Sequence, residues 1–165
     1  MKKIVFLFPF LLFAGSFYYY PEYTPILVER TALDTSVQYV PTSMSILDPG
    51  TMCVFQNWIL LVEQYKGVHI IDNTDSSNPT RVGFLRVPGC QSVGVGNGVV
   101  YVDNAVDLVG VRFHPETGTV EEIARSRAVL PELISPEGYI PLEFRRHNRP
   151  KNTEIVGWIS NNDAL

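Results

Sequence analysis

Phe55-Gln56-Asn57-Trp58-Ile59-Leu60-Leu61-Val62-Glu63 and Val95-Gly96-Asn97-Gly98-Val99-Val100-Tyr101-Val102-Asp103 are the stretches whose reading decides the fold. Gly96-Asn97-Gly98 is a tight-turn signal, because Asn and Gly tolerate positive φ. Trp58 to Val62 is apolar on both faces, as a strand held between two layers should be. With Asn57 placed on Asn97, an offset of 40 residues, the two stretches align without a gap. Phe55 then meets Val95, Leu60 meets Val100, Val62 meets Val102 and Glu63 meets Asp103.

The alignment extends outward from these hairpins. Val68-His69-Ile70-Ile71 follows Lys66-Gly67, and at the same offset Val68 meets Leu108 and Ile71 meets Val111. Val82 to Val87 follows Asn78-Pro79, and Pro115-Glu116-Thr117-Gly118 turns the chain into Val120 to Ala124. Turn signals and strands agree together, giving four strands per unit and a period of about 40, which is the spacing of a propeller blade. The expected fold is therefore all-β, with two propeller-like four-stranded antiparallel repeats over residues 50–130.

Lys66-Gly67-Val68-His69-Ile70-Ile71-Asp72-Asn73, followed by Ser77-Asn78-Pro79, resembles the repeat of the LVIVD family. Val87-Pro88-Gly89, Val100-Tyr101-Val102-Asp103 and Asp107-Leu108-Val109 continue the likeness, with a weaker echo at Ile155-Val156-Gly157-Trp158. The second copy departs from the pattern, with Arg112 in place of the Asp and His114-Pro115 in place of the Asn-Pro. The resemblance implies an exported, propeller-type protein of Bacteroidetes-type bacteria. It implies no particular activity, because the family is defined by its repeat.

Two blades are too few to close a propeller, and they leave an apolar flank and unpaired edges. Three solutions stand open: an incomplete propeller or small two-sheet sandwich, pairing with itself or another chain, or descent from a longer protein. Residues 17–49, rich in proline and opening on Phe17-Tyr18-Tyr19-Tyr20, read as an extended tether docking on its own domain. Residues 131–165 read as irregular, with a final strand at 154–159 and the part up to Gly157 covering a sheet edge.

Lys2 and Lys3 precede an apolar run from Ile4 to Phe13, and Ala14-Gly15-Ser16 are small. At 1.5 Å per residue the run is too short for ~30 Å of hydrocarbon, so residues 1–16 read as a secretory signal peptide. Ser16 stands where a lipobox has its lipidated Cys, and a hydroxyl cannot make the thioether. The expected location is thus the periplasm, the outer-membrane surface or the medium, without a lipid anchor.

A net charge of −4 with no basic run excludes a phosphate-backbone partner. Glu63, Asp103 and Asp107 recur at strand ends and are the candidate binding rim, with Asp72 nearby. The strand-end carboxylates also define an alternative reading, a glycan-acting enzyme with Glu63 and Asp103 as its carboxylate pair, or a protein whose rim holds a cation or sugar hydroxyls. Turn capping is the plainer role for such residues. Cys53 and Cys90, an even count in an exported chain, form a disulfide or remain separate buried thiols. His69, His114 and His147 are scattered, with no nucleophile in an elbow and no zinc spacing. Asp72 to Asn78 lacks the order of a calcium loop, and His114 to Gly118 reads as a hairpin turn. These features lead to a non-catalytic binding or scaffold module with no cofactor or metal. Its expected partners are an envelope protein, a glycan or a second copy of the chain.

Overall fold

The computed structural model describes residues 21–114, 117 and 119–162. The signal-peptide reading of residues 1–16 and the aromatic run at 17–20 lie outside these. In chain order the elements are β1 (Tyr23–Glu29), α1 (Arg30–Leu33), β2 (Gln38–Val40), β3 (Pro49–Phe55), β4 (Trp58–Glu63), β5 (Gly67–Asp72) and β6 (Thr80–Arg86). Then follow β7 (Val93–Gly96), β8 (Val99–Asn104), β9 (Asp107–His114), β10 (Thr119–Ser126), a 3-10 turn (Leu142–Phe144) and β11 (Thr153–Ser160). The protein is all-β, in three antiparallel sheets ordered β2-β6-β5-β4-β3, β10-β9-β8-β7 and β1-β11. The described strands form no closed propeller or barrel.

β3 to β6 and β7 to β10 are the two four-stranded units, and they stack through one core. Leu60, Val62, Val68 and Ile70 of the first sheet meet Val100, Val102, Val109 and Val111 of the second, each at most 3% exposed. Burying such side chains contributes about 1.5–3 kcal/mol apiece. Phe113 closes one end of this layer against Tyr39 and, edge-on, Trp58. Gly83 leaves room for the Tyr39 ring, whose Cε2 would lie 2.7 Å from any Cβ there.

The structure corrects the gapless repeat. Gln56 (φ 55°) and Asn97 (φ 52°) open equivalent two-residue turns, closed by Phe55/Trp58 and Gly96/Val99. These hairpins are 41 residues apart, whereas the positive-φ residues of the next turns, Tyr65 and Ala105, are 40 apart. The difference is one extra residue between β4 and β5: Glu63 pairs Gly67 across three residues, and Asn104 pairs Asp107 across two. A one-residue slip exchanges the faces of a strand. In structural register Leu60 corresponds to Tyr101, Leu61 to Val102 and Glu63 to Asn104, not Asp103. The inward residues of the second sheet are therefore equivalents of Ile59, Leu61, His69 and Ile71, on the outward face of the first. The two sheets stack face to back.

The flanking segments are also more ordered than their composition suggests. The 21–49 stretch supplies β1, the α1 turn and β2, which adds to the first sheet beside β6. The expected final strand is β11, but it pairs with β1 and covers no edge of the larger sheets. The β1-β11 ribbon crosses the turn ends of those sheets: Val28 and Val156 pack with Leu33 and Ala105, while Ile155 and Trp158 pack with Leu133 and Tyr65.

Candidate functional site

The expected carboxylate rim does not form. Glu63 and Asp107 are 1% and 0% exposed, and each is consumed by partners inside the protein. Only Asp103 keeps partial access; burial, its largest influence, raises its pKa. Strand alternation also puts Glu63 and Asp103 on opposite outer faces of the stack, since their neighbours Val62 and Val102 point into the shared core. A carboxylate pair for glycoside hydrolysis must flank one bond within about 10 Å, so this pair is no such site.

Glu63 instead pins the chain ahead of β3. Its carboxylate accepts the N–H groups of Leu47 (3.1 Å) and Asp48 (2.9 Å), lies 3.1 Å from His69 Nε2 and 3.6 Å from Lys66 Nζ. Burial alone would raise its pKa, but the His69 ring, the two backbone donors and the Lys66 charge outweigh it, and the net shift is downward. An ionised Glu63 accepts from a proton on Nε2, while Nδ1 is buried with no hydrogen-bond partner. The His69 ring packs edge-on to Phe84 and is 0% exposed, so this acid–base pair is sealed from any solute. Asn104, in the corresponding place, donates to the Pro88 carbonyl at 2.8 Å, holding the chain ahead of β7. Polar residues at equivalent strand ends thus clamp equivalent incoming segments.

Asp107 is the centre of a second internal network. It bonds Arg30, lies 2.9 Å from Arg125 Nη1, and accepts the Ala128 N–H at 2.9 Å. Arg30 also reaches Asp34, and Arg125 reaches Glu122. A third cluster joins Arg149 and Arg146 to Glu132 and Glu154 behind β11. The composition of residues 131–165 gave no hint of this cluster, because its members meet only when β11 is in place.

Cys53 and Cys90 are free thiols, so the disulfide alternative does not hold in this structure. Cys90 is fully buried, and burial together with the Asp103 charge pushes its thiol up to about 12. Burial also raises Cys53. Neither has the thiolate character of a nucleophile at neutral pH. His114 pairs Thr119 where β9 meets β10, and residues 115, 116 and 118 of the expected turn lie outside the described residues. Among the described residues no group of three or more His, Cys, Asp or Glu side chains is placed to hold a metal.

What sequence reasoning missed is a cleft. Its walls are the β1-β11 ribbon (Ile26, Val28, Val156, Trp158), the Gln64-Tyr65-Lys66 turn, and Phe84 with Arg86 at the end of β6. Met44 and Asp48 close it on the loop that Glu63 pins, and its volume is about 750 Å³. Such a volume suits a small organic ligand. The Trp158 indole N–H, on a wall of this cleft, is buried without a hydrogen-bond partner. Lys66, Arg86 and Asp48 are its charged members. The single legible signal was Ile155-Val156-Gly157-Trp158, whose apolar residues mark a strand but not what it faces. In comparisons with family models, curated proteins and solved structures, the chain matches none.

Proposed function

We propose that the chain is an exported, non-catalytic binding module of the bacterial cell envelope, whose ligand seats in the cleft beneath the β1-β11 ribbon. The cleft is the observation that carries this reading: it combines an apolar, aromatic lining with a few charged groups at one side, the usual make-up of a small-molecule site. The ionisable groups elsewhere support a binding role, since Glu63, His69 and Asp107 are buried and committed to one another or to the backbone. The likeness to the LVIVD repeat belongs to the same reading, as does the envelope location inferred from residues 1–16. The cleft favours a ligand with an apolar or aromatic body over a bare sugar, because its polar groups are few.

The neutral aromatic dye Nile red tests the cleft. Saturable binding is expected, weakened at least tenfold by Ile26→Glu, a change worth about 1.4 kcal/mol. Ile26 is 40% exposed, so the substitution is tolerated by the fold. Val54→Lys, outside the cleft, should leave the affinity unchanged. Absence of binding, or equal binding by both variants, removes the cleft as the site. The envelope location is read by expressing the full chain in a Gram-negative host. A mature chain beginning at Phe17 in the periplasmic or extracellular fraction is expected, and an intact amino terminus in the cytosol refutes it.

A further inference from the structure

Strand pairing in the first sheet sets the two ends of the cleft apart. Pro49 pairs Glu63, Glu63 pairs Gly67 and Gly67 pairs Arg86, so one row crosses β3, β4, β5 and β6 in turn. Neighbouring strands lie about 4.8 Å apart, which puts Arg86 about 14 Å from the β3 end of that row. The cleft under the β1-β11 ribbon follows the row. Asp48, the residue before Pro49, lines it at one end, the Gln64-Tyr65-Lys66 turn lies between, and Arg86 lines the other end.

The charged groups along the cleft differ in how far they are already matched. Lys66 Nζ lies 3.6 Å from the Glu63 carboxylate, which takes up part of its charge. Arg86 is exposed, and its guanidinium has no hydrogen bond or ion pair among the described residues. Asp48, the single carboxylate of the lining, stands at the far end from it. The walls between are apolar, and three large side chains on them stay open to solvent: Ile26 at 40%, Met44 at 39% and Ile159 at 48% exposed. Exposed apolar surface gathered in a concave site marks a place where a ligand is seated. The planar fork of an arginine matches a carboxylate with two parallel donors.

We propose that the cleft takes a single-chain anionic amphiphile, with its apolar chain along the ribbon wall and one carboxylate on the Arg86 guanidinium. Lys66, on the neighbouring strand turn, adds to the positive field at that end. A neutral chain would leave Arg86 unmatched, and a cationic head would meet Arg86 and Lys66 as like charges. This inference names the ligand class for the binding module described above, and it rests on the cleft being the site.

The test is isothermal titration calorimetry on the full chain at neutral pH and low salt. Decanoate, decanol and decyltrimethylammonium share one apolar chain and differ in the charge of the head, and Nile red is titrated in parallel. Decanoate is expected to bind about tenfold more tightly than decanol, the scale of one charge-assisted pair, with the cation weakest. Added salt should narrow that preference, because Arg86 is exposed and its charge is screened. Arg86→Gln should remove the preference and leave the decanol and Nile red affinities unchanged, while Arg86→Glu should turn it toward the cation. The Arg86 side chain bonds no described residue, so both variants keep the fold, which circular dichroism checks. Equal binding of decanoate and decanol, or tighter binding of the cation by the wild type, overturns the proposal. So does a decanoate affinity that Arg86→Gln leaves intact. Nile red binding without binding of any decyl chain overturns this inference and leaves the cleft as a site, whereas absence of both removes the cleft itself.

Discussion

Replacing Gly67 with alanine is expected to abolish the native fold of the first sheet, with a loss of at least about 4 kcal/mol in thermal or denaturant unfolding. Gly67 opens β5 with φ 146°, a backbone conformation that an L side chain rarely adopts. A Cβ there would lie 2.0 Å from the Leu85 carbonyl oxygen and 2.9 Å from the Val87 nitrogen. Both are backbone atoms of the neighbouring segment, so no rotamer change relieves the overlap. Relief requires parting β5 from β6 where Gly67 pairs Arg86, and the Lys66 carbonyl, which accepts the Val87 N–H at 2.9 Å, moves with it. Val68 and Leu85, both in the central core, lie one residue further along the same pairing. Steric strain and lost packing add, which places the effect among the exceptional ones for a single substitution. Gly94→Ala, where nothing lies within 4 Å, is the matched control and should unfold close to the wild type. A Gly67→Ala chain within 1 kcal/mol of the wild type would refute the account.

The second large effect falls on the equivalent position of the other repeat. Asp107→Asn should cost about 3 kcal/mol above pH 5. Removing one member of a buried ion pair leaves its partners uncompensated, here Arg30 and Arg125 around a side chain that is 0% exposed. Asp34 and Glu122 retain part of the compensation, which keeps the loss near the lower end for buried pairs. Burial by itself would raise the Asp107 pKa, but Arg30, the Ala128 N–H and Arg125 together hold it below the usual carboxylate value. A depressed folded-state pKa means that the stabilisation is complete above the unfolded value, about 3.9, and is lost as pH falls through the folded one. The gap between wild type and Asp107→Asn should therefore be constant from pH 7 to pH 5 and close below about pH 4. Glu63 acts with the same sign and Asp103, raised by burial, with the opposite one, so the difference from the Asn variant is the quantity to follow. A gap that persists unchanged to pH 2 would show that Asp107 acts by shape and not by charge.

Gly67 and Asp107 show how far local sequence goes. Lys66-Gly67 and the alternating apolar residues around it mark a turn and a strand from composition alone, because backbone freedom and a two-residue period are local properties. The same reasoning located β4, β5, β6, β8, β9 and β10, through their apolar runs and the turn residues beside most of them. It did not reveal that Gly67 faces a carbonyl of β6, or that the repeat gains one residue between β4 and β5. Valine and leucine align almost equally well at offsets of 40 and 41, while the choice between them decides which face of each sheet is buried. That choice also moved Glu63 from equivalence with Asp103 to equivalence with Asn104, and the expected rim dissolved with it.

The sequence by itself determined the all-β class, the two four-stranded units and the strand near the carboxyl end, because strand periodicity and turn chemistry are written within a few residues. Tertiary structure alone decided that β1 pairs with β11 across more than a hundred residues, that Glu63 and Asp107 turn inward, and that a cleft opens under the ribbon. The physical reason is common to all three. A strand's apolar pattern states that it must pair and bury a face, but the identity of the partner depends on which distant segment removes the most apolar surface from water while satisfying its hydrogen bonds.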